Sequence, residues 1–311
     1  MPLRFSALLA LALMLMLFVI AAVVESRRAA FARRPRLRLG AYTLAVGVYC
    51  SSWTFYGAVG TAAREGWNYL PIYAAPILVL LAAPRFLARL TAAVAEERAA
   101  TVSDFIAARF GHDVVVARLV TTIALLGSIP YIALQLRSIG GAMSLVSAQS
   151  VTGPVMAIAA LLLALFAVLY GARRYELASR SEGLLYAIGL DSLFKLLALG
   201  IVAVLAVSLM VDAEPASVAR GWRAIGERFG PGHLSLEFAV ITLISAMAVV
   251  ALPRQFYMGV VEAREPGDLV RARFGIAGYI FLMALLVLPV AFAGTALLPG
   301  AVAPDRYVLQ L

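Results

Sequence analysis

Lysine is almost missing from this chain. Of 26 basic residues only Lys195 is a lysine. Cysteine occurs once, at Cys50, which excludes an internal disulfide. Histidine occurs twice, at His112 and His233, and two histidines with one cysteine cannot supply the four ligands of a structural zinc site. Charge is scarce as well: 14% of the 311 residues are charged, while 63% are hydrophobic. Soluble domains carry about 25% charged residues, so this deficit, with a mean hydropathy of +0.94, excludes an ordinary soluble fold and places the chain in the membrane class. The spans offer no clustered nucleophile, base and metal-ligand set, so no enzymatic chemistry is expected of these residues.

What is present is a succession of apolar windows separated by arginine. Windows long enough to cross a bilayer as helix fall at about 3–24, 40–61, 68–88, 114–147, 152–171, 182–211, 236–258 and 274–298. They predict an all-α integral membrane protein with about eight transmembrane helices. The first window is followed by Arg27, Arg28, Arg33, Arg34, Arg36 and Arg38 and by no convincing small-residue cleavage site, so it reads as an uncleaved anchor. Arginines also gather after the third, fifth and seventh windows, as in "PRFLARL", "ARRYELASR" and "VVEAREPGDLVRAR". The opposite connections hold few, with Arg64 alone between the second and third windows. That alternation is a positive-inside bias and puts the amino terminus outside. It also makes the net charge of +9 a signature of the lipid bilayer rather than of nucleic acid, which is not an expected partner.

Within this frame a few stretches break the pattern. "GVYCSSWTFYGAVG", Gly47 to Gly60, interrupts the second window with three glycines, Ser51, Ser52 and Thr54. Two readings stand open. Small residues let transmembrane helices pack closely, or the helix is discontinuous and lends carbonyls and hydroxyls to a ligand. In the seventh window Pro253 follows an apolar stretch containing Ser245, with Arg254 and Gln255 next; it marks either a second interruption or a plain helix end. Asp191 and Lys195 stand four apart in the sixth window, on one helix face, as a self-neutralising pair or a functional one. Gln135 and Arg137 are polar in the fourth window, where Pro130 predicts a bent or tilted helix and Arg137 can snorkel. "TVSDFIAARFG" predicts a short amphipathic helix at the interface, capped by Thr101 or Ser103.

Taken in order, "VYCSSWTFYGAVGTAAREGWNYLPIY", "ATVSDFIAARFG", "IPYIALQLRSI", "EGLLYAIGLDSLFKL" and "LPRQFYMGVVEA" resemble the sodium/solute symporter family, in the branch whose transporter-like domain is fused to a sensor histidine kinase. The resemblance covers about Tyr42 to Leu298. It implies a LeuT-like core of two inverted five-helix repeats behind one extra helix: 1–39 as anchor and Arg-rich loop, 40–211 as the first repeat, 212–235 as an outer loop, and 236–311 as the first two helices of an incomplete second repeat. It implies sodium-coupled transport of a small solute, an amino acid such as histidine or proline, by alternating access in a bacterial inner membrane, as the sensory input of a two-component kinase. The alternative is a sensor that binds without translocating.

By motif position the resemblance assigns sodium to the carbonyls of Gly47 and Cys50, and substrate to Ser51, Ser52, Trp53, Tyr56, Ser245, Pro253 and Gln255. Asp191, Lys195, Gln135 and Arg137 become polar support within the membrane. No cofactor other than Na+ is implied. Tyr49 stands where the family often has an aspartate, and the family's remaining sodium ligands, hydroxyl residues on a ninth helix, would lie beyond Leu311. No kinase motif is present, so the chain is expected to be a portion of a longer protein, and a response regulator is a partner only through such a kinase region.

Overall fold

A computed structural model describes residues 3–148, 152–171, 181–230, 236–298 and 300–311. Among these the chain is helical, with no strand. The segment at 172–180, including the arginines of "ARRYELASR", and His233 lie outside the described residues.

The apolar windows become α1 (Leu3–Ser26), α8 (Val114–Ser147), α9 (Thr152–Phe166), α10 (Glu182–Asp212) and α14 (Asp268–Leu297). These five helices are long and apolar enough to cross a membrane, and two bent pairs raise the count to seven. This is the make-up of a membrane-embedded chain. At 34 residues α8 is about 51 Å long, far beyond the roughly 30 Å of a hydrocarbon core. It runs helical straight through Pro130.

Two windows differ from their expected form. The third, at 68–88, is not one continuous helix: α5 (Pro71–Ala82) stops at Ala83, and α6 (Pro84–Glu96) leaves at 82°. Pro84 cannot donate to the helix before it but suits a first turn, so it ends one helix and starts the next. The second window, at 40–61, is the eighth expected span. It is not continuous either, being split between α3 (Pro35–Val46) and α4 (Ala58–Glu65). A five-residue helix α2 (Arg28–Ala32) precedes α3. Between α6 and α8 lies the short helix α7 (Val102–Arg109), capped by Thr101. Its hydroxyl accepts the Asp104 N–H while the Asp104 carboxylate accepts the Thr101 N–H. Ser103, the other candidate cap, is instead buried, and its hydroxyl donates to the Ala117 carbonyl at 2.7 Å.

By packing, the chain divides into two units, each discontinuous in sequence. The first comprises residues 1–48, 85–191 and 250–272. Here Gly183 and Gly189 lie against the backbone carbonyls of Ala21 and Ala41, where a Cβ would come within 2.5 and 2.8 Å. Small residues thus let α10 touch α1 and α3 closely. A buried ionic group centred on Arg38 joins the start of α3, the start of α10 and the start of α14.

The second unit comprises residues 49–84, 192–249 and 273–311. It includes α11 (Pro215–Gly226), a helix in what the sequence presented as the outer loop, and the short α15 (Tyr307–Gln310). An aromatic group knits this unit: Trp67 and Tyr69 pack on Phe229, which stacks on Phe292, which in turn meets Trp222. The Trp67 indole N–H donates to the Phe229 carbonyl at 2.7 Å. Arg64 on α4 pairs with Asp305 at 3.2 Å, tying the last residues of the chain to α4.

Candidate functional site: two interrupted helices

The first interruption begins where α3 ends. Gly47–Tyr49 form a single 3-10 turn, Cys50 and Ser51 are not helical, and Trp53–Gly57 form a π-helix leading into α4. The residues explain this locally. Glycine, serine and threonine are weak helix formers whose hydroxyls compete for the backbone, and a π-turn, with its i to i+5 bonds, absorbs a misfit in register.

The second interruption follows α12 (Leu236–Ala251). Leu252 is extended, α13 (Pro253–Phe256) opens with proline at its first position, and Tyr257–Val261 form a second π-helix. The chain bends by 48° here. Pro253 therefore does more than end a helix: it restarts one. A third π-stretch, Ala167–Gly171, merely finishes α9.

The two π-segments share a device that the sequence reading missed. In the first, the hydroxyl of Tyr73 on α5 donates to the Thr54 carbonyl at 2.9 Å, and the Thr54 hydroxyl donates to the Ser51 carbonyl at 2.7 Å. In the second, the hydroxyl of Tyr42 on α3 donates to the Gly259 carbonyl. Both tyrosines are fully buried. Backbone carbonyls displaced from ordinary helix bonding need donors inside a membrane, and here buried phenols provide them. Tyr49 adds a third such contact, donating to the Ile72 carbonyl at 2.6 Å. Tyrosines at 42 and 73 carry no local signal, since their partners stand 217 and 19 residues away.

The named candidates fall as follows. Gly47 and Cys50 are buried, Ser51, Ser52 and Tyr56 are half-buried, and Trp53 is the most exposed of the segment. The Trp53 indole lies over Gly57, where a Cβ would come within 2.8 Å, so glycine there makes room for the ring. Ser245 is buried midway along α12 and belongs to the second unit, as do residues 51–56. Gly47, Pro253 and Gln255 belong to the first. Gln255 is buried, and its side-chain carbonyl oxygen has no hydrogen-bond partner among the described residues. Its neighbour Arg254 donates to the Tyr131 hydroxyl on α8 and lies over that ring at 4.2 Å. Asp191 and Lys195 stand half-buried one turn apart on α10. On α8, Gln135 is half-buried and Arg137 exposed.

Removing the Tyr73 hydroxyl should expose how far this device holds the first interruption. Tyr73→Phe leaves the buried Thr54 carbonyl without its phenolic donor, an expected loss of about 1–3 kcal/mol. Unfolding of the purified protein in detergent measures it, and an unchanged stability would show that the carbonyl is satisfied otherwise.

Sodium is a hard cation that takes oxygen ligands. The non-helical backbone at Cys50 and Ser51, with the hydroxyls of Ser51 and Ser52 beside it, offers oxygen donors of that kind. Among the described residues no three His, Cys, Asp or Glu side chains come together as a metal site. No family model, curated protein or solved structure matches the chain.

Proposed function

We propose that the chain is the membrane domain of a sodium-coupled solute transporter, resembling the sodium/solute symporters, and the sensory input of a histidine kinase. One observation carries the reading: two helices are interrupted, and a π-helix in which a buried tyrosine hydroxyl donates to a backbone carbonyl follows each break. Interrupted spans in separate parts of a membrane chain are the elements from which transporters build ligand sites, and π-turns occur at functional positions more often than elsewhere.

In this reading the carbonyls of Gly47 and Cys50 hold sodium. Ser51, Ser52, Trp53 and Tyr56 from the first interruption, with Ser245, Pro253 and Gln255 from the second, contact the solute. Gln255 would donate and accept through an amide whose oxygen is otherwise unused. Asp191, Lys195, Gln135 and Arg137 support the helices. The chain would sit in a bacterial inner membrane with its amino terminus outside, which places the arginine-rich segments within.

The test is uptake of labelled histidine and proline by cells producing the protein, with sodium or with choline. Sodium-dependent uptake that falls at least tenfold in Ser52→Ala with Gln255→Ala is the expected result. Solute binding without uptake would support instead a sensor that binds and does not translocate.

A further inference from the structure

Where the second π-helix ends, the described residues of the first unit bury three carboxylates around one buried guanidinium. Arg38, Glu182, Glu262 and Asp268 are 3%, 4%, 0% and 7% exposed. The single guanidinium serves them unequally. Its Nε donates to Glu182 Oε1 at 2.8 Å, and its Nη1 lies 3.8 Å from Asp268 Oδ2. Its Nη2 is spent on the backbone carbonyl of Glu262, at 3.2 Å, and not on the Glu262 carboxylate.

Asp268 has other donors. The backbone N–H groups of Arg264 and Glu265 reach its Oδ2 at 3.0 and 3.1 Å, and Arg271 reaches its Oδ1 at 3.3 Å. The Glu262 carboxylate receives the Ser181 N–H at 3.1 Å on Oε1 and contacts the Tyr257 hydroxyl. What remains is a pair of orphans: Oε2 of Glu182 and Oε2 of Glu262 are both buried, and neither has a hydrogen-bond partner among the described residues. Because Ser181 and Glu182 are consecutive, the N–H that holds Glu262 and the Glu182 carboxylate leave the chain at the same point.

We propose that this group is a proton-binding site in which one proton is shared between Oε2 of Glu262 and Oε2 of Glu182. A single O–H then satisfies both orphan atoms, one as donor and one as acceptor. It also removes the charge of a buried carboxylate to which Arg38 makes no hydrogen bond. The proton comes from water and returns to it. A cavity of about 220 Å³, lined by Arg36, Arg38, Arg264, Glu265, Asp268 and Arg271, carries solvent as far as Arg38 and Asp268. Two orphan oxygens are too few to hold a metal cation, which needs about six oxygen ligands.

The ionisable neighbours are Arg38 from α3, Glu182 from α10, Tyr257 from the second π-helix and Asp268 from α14. Glu25 on α1 accepts the Gly183 N–H at 3.1 Å, and Tyr186 stands one turn beyond Glu182. Burial pushes the Glu262 carboxyl above its ordinary range, and the Glu182 charge adds to this. The Ser181 N–H, the Tyr257 hydroxyl and Arg38 oppose it. The sign follows from that direction. A carboxyl that binds its proton more tightly folded than unfolded lends stability that is full below the unfolded pKa, about 4.3, and is lost as pH rises through the folded value.

Infrared difference spectroscopy of the purified protein between acid and alkaline buffer tests the assignment, beside melting temperature over the same range. The wild type should show one protonated carboxyl band that outlasts those of the solvent-exposed acids as pH rises, with a melting temperature that falls as that band disappears. Glu262→Gln places an amide donor where the proton sat, so the band should be missing and the melting temperature flat across that interval. Glu182→Gln should shift the band's frequency. The wild-type spectrum decides even if neither variant folds: a carboxyl band lost only together with those of the solvent-exposed acids would overturn the proposal.

Discussion

Arg38→Ala should lose about 3–5 kcal/mol of unfolding free energy, the largest effect expected of any single substitution here. The side chain is 3% exposed and ties three places in the first unit, through Glu182, the Glu262 carbonyl and Asp268. Its removal leaves the buried Glu182 carboxylate without its guanidinium, while Asp268 keeps Arg271, and an uncompensated buried charge costs far more than the pair contributes when intact. Lysine should not restore the loss, because one ammonium cannot present donors in three fixed directions as the planar guanidinium does. Chemical unfolding in detergent at neutral pH measures both variants. The deficit should shrink in acid, where the carboxyls protonate and need no cation. A loss under about 1 kcal/mol at neutral pH would mean that water, and not Arg38, satisfies the group.

Gly66→Ala should be nearly as severe. Gly66 adopts φ +59° and ψ −115°, a conformation closed to residues with a Cβ, and an added Cβ would lie 2.0 Å from the Arg228 carbonyl oxygen. The backbone strain alone is worth about 1–3 kcal/mol, and the clash is with main chain that cannot swing aside. The turn that Gly66 opens carries Trp67 and Tyr69 onto Phe229, so a displaced turn would also separate those rings. A loss of about 3 kcal/mol or more is expected from thermal unfolding, accompanied by a change in tryptophan fluorescence. A variant as stable as the wild type would show that residues 66–69 do not rest on residues 228–229.

What could be read from the sequence follows the range over which its causes act. Apolar windows and helix caps are local, so the limits of α8 and α10, and Thr101 as the start of α7, were within reach. The weak helix formers from Gly47 to Gly57 left close packing and an interruption both open, and gave no sign that the chain would resume as a π-helix. The break at Ala83 was hidden because Pro84 lies in a run apolar enough to pass for one span. Helix α11 was hidden because an amphipathic turn among charged residues resembles a loop. Least legible was the Arg38 group, whose members stand 144 and 224 residues from the arginine. Spacing drew attention to Asp191 and Lys195, four apart on one helix. The buried carboxylate at Glu262 read as one more loop charge.

Cys50 offers the most direct test of the proposed role of the first interruption, because the only cysteine of the chain lies, fully buried, where the helix opens. The measurement is the rate at which a maleimide alkylates Cys50 in membrane vesicles, in sodium and in choline. If the carbonyls of Gly47 and Cys50 hold sodium, sodium should slow the reaction several-fold, with potassium having no effect. Equal rates in sodium, potassium and choline would contradict the account.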